Sequence, residues 1–297
     1  MTRRTSERRL AGLVVASAAV ILIVAAVVAG SRNDGPPPLP LPGTGTVPRQ
    51  GDPFAYVASR EAQFVARATA GSANVLFTKS PGGALATAAR VARLRGMINS
   101  ATAGTGVDPN ILEALVFLES AGRPDAIAGS DPAAASGLTQ ILAQTGQSLL
   151  AMHIDLARSR KLTASIDRAS FLGQTATVAR LERSRARIDD RFDPAKALAG
   201  AVRYLEIARS DLGRPDLAVV SYHMGIGNLQ QVLSDYGGGS SVPYPQLYFD
   251  TAPDHHGSAY RFLSGLGDDS SLYYWRLLGA EQVMRLYRGD RAALARL

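Results

Sequence analysis

The chain has 297 residues, a formal charge of +7, and 46% hydrophobic against 19% charged residues, which fits a globular body and excludes a chain disordered throughout. Cysteine is absent, so disulfides, a thiol nucleophile and a lipid-modified cysteine anchor are excluded. Lysine occurs only at 79, 161 and 196, and arginine is scattered among acids without a recognisable nucleic-acid module, so nucleic acid is not an expected partner; outside a cell, a basic surface suits anionic lipids or acidic polymers.

Residues 1–9 carry Arg3, Arg4, Arg8 and Arg9 against the single acid Glu7, and Leu10 to Gly30 is an uncharged run of 21 residues. That length can span a bilayer. A cleaved signal has a shorter apolar core, so residues 10–30 read as an N-terminal transmembrane helix, a signal anchor with residues 1–9 in the cytoplasm. Cleavage after Val27-Val28-Ala29 is the alternative. The run has no polar face, which a helix packed on the surface of a soluble domain would show, and Arg3-Arg4 lacks the apolar residues that follow a twin-arginine signal. Residues 31–51, with Pro36-Pro37-Pro38, Pro40 and Pro42, read as an extended linker.

Residues 52–101 predict two accessory helices. Asp52-Pro53 opens the first, with Phe54, Val57, Phe64, Val65 and Ala68 along one side. After the break at Ser80 to Gly83 the second runs from Ala84 to Ala101, with Leu85, Ala88, Val91, Leu94 and Ile98 facing inward.

The next helix has clear punctuation. Asp108 caps it, Pro109 suits its first turn, and Gly122 and Pro124 end it. Ile111, Leu112, Leu115, Val116 and Leu118 recur at helical spacing, and Glu119 follows Ile111 and Leu115 on the same apolar face. A carboxyl aimed inward in the last helical turn is favoured in its protonated form by desolvation and by the helix dipole. Such a group can act as a general acid near neutral pH. An ion pair with Arg123 is the plainer reading of Glu119. Asp125 and Asp131 read as turn residues.

His153 to Asp190 reads as a solvated helical insertion, with a place at the edge of a groove as the alternative. Asp193-Pro194 starts a strong helix that buries Leu198, Ala201, Val202, Leu205 and Ala208 and ends at Gly213. Pro215 starts another, which delivers Tyr222 and His223 to a break at Gly225 and Gly227; Leu229 to Tyr236 is then helical up to Gly237. In the tail from 241 to 297, Tyr244, Tyr248, Phe249, Tyr260, Tyr273, Tyr274 and Trp275 are expected mostly in the core, with some able to stack on sugar faces. His255-His256 reads as too close a pair for both rings to face one metal, and no metal site is expected.

Glu119-Ser120, then Ser136-Gly137-Leu138-Thr139-Gln140, then Tyr222-His223-Met224-Gly225 resemble, in that order, the catalytic domain of the soluble lytic transglycosylase family, which shares its lysozyme-like fold with goose-type lysozyme. The family's blocks run Glu-Ser, Gly-Leu-Met-Gln and Tyr-Asn-Ala-Gly. Here Thr139 replaces Met, while His223 and Met224 replace Asn and Ala. The resemblance covers roughly residues 107–236 and implies a mainly α, lysozyme-like (transglycosylase SLT) domain over 102–240. Residues 241–297 are then an extension packed on it.

The resemblance further implies that peptidoglycan glycan strands are the substrate and that no cofactor is needed. It makes Glu119 the acid and base that cleaves the linkage between N-acetylmuramic acid and N-acetylglucosamine, closing a 1,6-anhydro ring without water. Ser136 and Gln140 would line the groove, and Tyr222 would position or hydrogen-bond Glu119. His223 would keep the hydrogen bond of the usual Asn or add a group titrating near pH 6.5. A hydrolysing muramidase and a catalytically impaired wall-binding scaffold, tethered to the cytoplasmic membrane by residues 10–30, are the alternatives.

Overall fold

The computed structural model describes residues 55–296, so the basic segment 1–9, the transmembrane segment 10–30, the linker 31–51 and the helix start at Asp52-Pro53 lie outside the described residues. Within that range helices are joined by turns, and β pairing is confined to isolated bridges. Among the described residues no helix is long and apolar enough to cross a membrane.

A 3-10 turn at Ala58–Arg60 leads into α1 (Glu61–Ser72) and α2 (Asn74–Thr78). Val57, predicted inside a helix, is extended and exposed, whereas Phe64 on the same predicted face is buried. The helix predicted over 84–101 is two, α3 (Ala84–Ala92) and α4 (Arg95–Thr102), separated by a turn at Arg93-Leu94. Ala88, Val91 and Ile98 are buried, but Leu85 faces solvent.

α5 (Pro109–Ser120) is the hub. The Asp108 carboxylate accepts the Asn110 amide at 2.8 Å, and Pro109 holds the first turn. The predicted single apolar face is too narrow, because Leu112, Glu113, Ala114, Leu115, Val116 and Phe117 are all buried. A helix apolar nearly all round belongs at the centre of its domain. Buried Glu113 is held by Arg95 at 3.0 Å and by Arg288, the pairing that a buried charge requires.

After α5 come α6 (Ala143–Ser148), the hairpin of α7 (Leu156–Phe171) and α8 (Thr175–Ala186), then α9 (Pro194–Leu212), α10 (Pro215–Met224) and α11 (Ile226–Tyr236). Asp193 caps α9 through the amides of Ala195 and Lys196, and Gly213, at φ 74°, ends it. α10 ends at Gly225 as predicted, but Gly227 lies inside α11 and makes no break. The segment from His153 to Asp190, which includes this hairpin, is less solvated than its charge suggests, since Thr163, Ile166, Arg185 and Asp189 are buried.

α12 (Tyr244–Asp250), α13 (Gly257–Gly265), α14 (Tyr273–Gly289) and α15 (Arg291–Ala295) complete the chain. α14 lies antiparallel along α5: its first residue meets Glu119, and Arg288 near its end meets Asn110 and Glu113. Leu277, Ala280, Val283 and Met284 share one core with Leu112, Leu115 and Val116, and burying each large aliphatic side chain contributes roughly 1.5–3 kcal/mol. Tyr244, Tyr248, Phe249, Tyr274 and Trp275 form an aromatic cluster in a second core, while Tyr260 is exposed.

Between α5 and α6 the chain folds on itself through bridges of Ser136 with Ile127 and Ile141. Gly137 sits there at φ 77°, and a Cβ added to it would lie 1.8 Å from the Arg191 carbonyl oxygen. Gly137→Ala is therefore expected to lower stability by roughly 2–4 kcal/mol, from left-handed backbone and overpacking together. Denaturant unfolding would measure it, and a change within 0.5 kcal/mol (about the scale of ordinary surface substitutions) would mean that the loop has room to shift.

Candidate active site

The end of α5, the loop that follows it, the α7–α8 hairpin, His223 and the start of α14 surround a cavity of about 530 Å³. Glu119 is the penultimate residue of α5, which is closed by Ala121 and Gly122 in left-handed conformation at φ 54° and 73°. Gly122 fits because a side chain there would press on Arg90 and Val91. Arg123 turns its Nε to the Ser120 carbonyl at 3.2 Å, and the ion pair expected with Glu119 does not form. Instead Tyr273 donates its hydroxyl to Glu119 Oε1 at 2.7 Å.

Burial pushes the Glu119 pKa up to about 7, against the downward pull of the Tyr273 hydrogen bond. A carboxyl that is protonated near neutral pH while one edge opens on a cavity can give a proton to a ligand. Burial, together with Glu119, holds the Tyr273 hydroxyl well above the usual tyrosine range, so Tyr273 remains a donor.

Gln140 also lines the cavity. Its backbone is left-handed, at φ 49°, and its Nε2 donates to the carbonyls of Ala126 at 3.1 Å and Gly137 at 2.8 Å. His223 lines the cavity from the end of α10, with Nδ1 2.9 Å from Ser270 Oγ and its ring stacked on Tyr273 at 5.1 Å.

Two of the residues expected at the groove lie behind it. Ser136 is fully buried and donates to the Ala134 carbonyl at 3.0 Å, because its bridges turn the side chain inward. Tyr222 donates to the Thr139 carbonyl at 2.8 Å, with its ring edge-on to Tyr204; the hydrogen bond expected from it to Glu119 comes from Tyr273. Thr139, where the family has Met, is buried and donates to the Ala197 carbonyl at 3.2 Å, tying the loop to α9. Met224 is buried in the second core.

Sequence reasoning missed Tyr273 and Ser270. The three adjacent aromatics at 273–275 mark a helix start, but nothing local tells which ring faces Glu119. It also missed that Asp125, Asp167, Glu182 and Asp269 line the same cavity. Asp269 is paired with Arg276 at 2.8 Å. Buried Arg185 donates to Thr163 at 3.0 Å and lies 3.7 Å from the centre of the Phe192 ring. Asp131 is the turn residue expected, accepting the Ala133 amide and pairing with Arg160 at 2.8 Å.

Away from this cavity, His255 and His256 do converge, contrary to the expectation from their spacing. His255 Nδ1 is 3.3 Å from Asp250 Oδ1 and 2.8 Å from the Asp250 carbonyl oxygen, and His256 Nε2 is 3.4 Å from Asp250 Oδ2. His256 also stacks on Tyr236, whose hydroxyl donates to Asp250, so the trio fastens the 250–256 turn to α11.

Comparison with curated proteins finds no match. Comparison with protein families matches the transglycosylase SLT domain over residues 96–167 and 171–241, a span that includes α5, the bridged loop, the α7–α8 hairpin and the α10–α11 corner. Tyr273 and Ser270 lie beyond it. Residues 96–241 thus carry the transglycosylase SLT domain, the domain of the soluble lytic transglycosylase family.

Proposed function

We propose that Glu119 is the acid that protonates the glycosidic oxygen between N-acetylmuramic acid and N-acetylglucosamine, and that the muramoyl 6-hydroxyl then closes a 1,6-anhydro ring. The SLT domain supports lytic transglycosylase activity on peptidoglycan. The observation that carries the assignment to Glu119 is its carboxyl at the cavity, raised to about 7 by burial and held by Tyr273. Gln140 and His223 are the polar groups that would orient the sugar, with Tyr222 and Ser136 supporting the wall from behind.

Residues 10–30 anchor the chain in the cytoplasmic membrane in this reading, with the SLT domain outside and residues 31–51 as spacer. The support is the uncharged 21-residue run after the basic segment. Fractionation of the full chain beside one lacking 10–30 tests it; equal recovery of both in the soluble fraction would exclude the anchor.

Mass spectrometry of the soluble products released from cell-wall sacculi tests the reaction. Products lighter by one water than hydrolytic muropeptides are expected. Hydrated products would favour a muramidase, the second reading, which the extra carboxylates Asp125, Asp167 and Glu182 in the cavity make concrete by offering a base for water.

Tyr273→Phe removes the hydrogen bond that lowers the Glu119 pKa. The group should then titrate above about 7, so the alkaline limb of the pH–rate profile moves to higher pH, while kcat falls roughly 10-fold through lost orientation. An unmoved limb with unchanged kcat would show that Tyr273 is only packing.

A further inference from the structure

His223 is a titratable side chain that lines the cavity together with Glu119 and Tyr273. Its ring is fixed from two sides, with Nδ1 at Ser270 Oγ and one face on Tyr273. The Ser270 turn is set in turn by Asp268, whose Oδ1 accepts the Ser270 amide at 2.9 Å. Among the described residues Nε2 has no hydrogen-bond partner. A ring held at one nitrogen, at a cavity wall, presents the other to whatever binds there.

We propose that His223 Nε2 is the base that takes the proton of the attacking 6-hydroxyl, so that acid and base work are divided between Glu119 and His223. The proposal rests on the transglycosylase reading above. The Glu119 proton passes to the bridging oxygen as the C1–O bond breaks and its electron pair leaves on that oxygen. The 6-oxygen bonds to C1 and its proton goes to Nε2. Turnover ends with Glu119 ionised and His223 protonated, and exchange of one proton through solvent restores both. The tautomer required has Nδ1–H donating to Ser270 Oγ.

The electrostatics suit this division. Burial lowers the His223 pKa below 6.5 and Arg276 lowers it further, against Asp268 and Asp269; Tyr273 covers one face, and Glu119 shares the cavity. Burial raises Glu119 to about 7. The acid therefore titrates above the base, and a pH window exists in which protonated Glu119 and neutral His223 coexist, which a usual Glu–His pair would not have.

The test is the pH dependence of kcat for the full chain acting on sacculi, with product masses recorded. The wild type should give a bell, its acid limb from His223 and its alkaline limb from Glu119. His223→Gln should lower kcat by roughly 10²-fold and abolish the acid limb, and His223→Ala should regain activity with added imidazole. Ser270→Ala, which keeps the ring but removes the acceptor for Nδ1–H, should move the acid limb to lower pH with KM unchanged. An acid limb that persists in His223→Gln with kcat within about twofold of wild type overturns the proposal. So does an acid limb that Ser270→Ala leaves in place, which holds even if the His223 variants do not fold. Hydrated products from the wild type would instead overturn the transglycosylase reading and this base with it.

Discussion

Glu119→Gln is expected to reduce release of glycan fragments from sacculi by at least about 10²–10⁴-fold, the range of a lost general acid, while the protein folds as before. The amide keeps the shape of the carboxyl and can still accept the Tyr273 hydroxyl found at 2.7 Å, so only the transferable proton is lost. Stability adds a second, independent readout. Glu119 has its pKa raised from 4.5 to about 7 by burial, so between these values the folded state binds more protons than the unfolded, and stability falls as pH rises through that window.

A shift of that size corresponds to roughly 3 kcal/mol at its limit; because the carboxyl is only half-buried and meets water at the cavity, about 1–2 kcal/mol is the reasonable expectation. The neutral amide of the variant carries no such cost. The variant should therefore melt close to wild type at pH 4.5 and about 2–8 °C higher at pH 8. An inactive variant without that pH-dependent gain would imply that Glu119 is more solvated than its surroundings indicate. An active variant would remove Glu119 from the chemistry altogether.

The elements that position Glu119 are legible where local chemistry decides them. Asp108-Pro109 and Asp193-Pro194 mark helix starts, and Gly213, Gly225 and Gly237 mark ends, because capping and left-handed backbone are properties of one or two residues. What the sequence does not disclose depends on partners far along the chain. The Glu119–Tyr273 contact joins positions 154 residues apart and exists because α14 lies antiparallel on α5. Ser136 reads as a groove residue until its bridges to Ile127 and Ile141 turn it inward. The segment from His153 to Asp190 reads as solvated because charge counts do not reveal that Arg185 and Asp189 point into the protein.

Asp189 also leads to the largest expected loss of stability, through its partner Arg191; both are fully buried. Arg191 donates Nε to Asp189 Oδ1 at 2.9 Å and Nη2 to Oδ2 at 2.7 Å, and Ser159 of α7 donates to the same carboxylate at 2.7 Å. Arg191 Nη1 reaches the carbonyls of Ala134 and Ile141 at 3.1 and 3.3 Å, so the guanidinium ties the bridged loop carrying Gln140 to the α7–α8 hairpin on the other side of the cavity. Asp189→Asn leaves a buried guanidinium without its counter-charge and should cost about 3–5 kcal/mol, lowering Tm by roughly 6–20 °C. Arg191→Met should cost a similar amount by stranding the carboxylate.

The double variant Asp189→Leu/Arg191→Met distinguishes a need for the ion pair from a need for its hydrogen bonds. It removes both charges, and the two carbonyls keep other donors, Ser136 Oγ on Ala134 and the Ser136 amide on Ile141. If uncompensated charge is what costs stability, the double variant should be less destabilised than either single one, a coupling that a thermodynamic cycle reads directly. Its activity should stay low all the same, because the loop that aims Gln140 at the cavity loses the clamp fixing it to α7. Additive losses would instead assign the guanidinium's main contribution to the two loop carbonyls, and restored activity would mean that the bridges alone hold Gln140 in place.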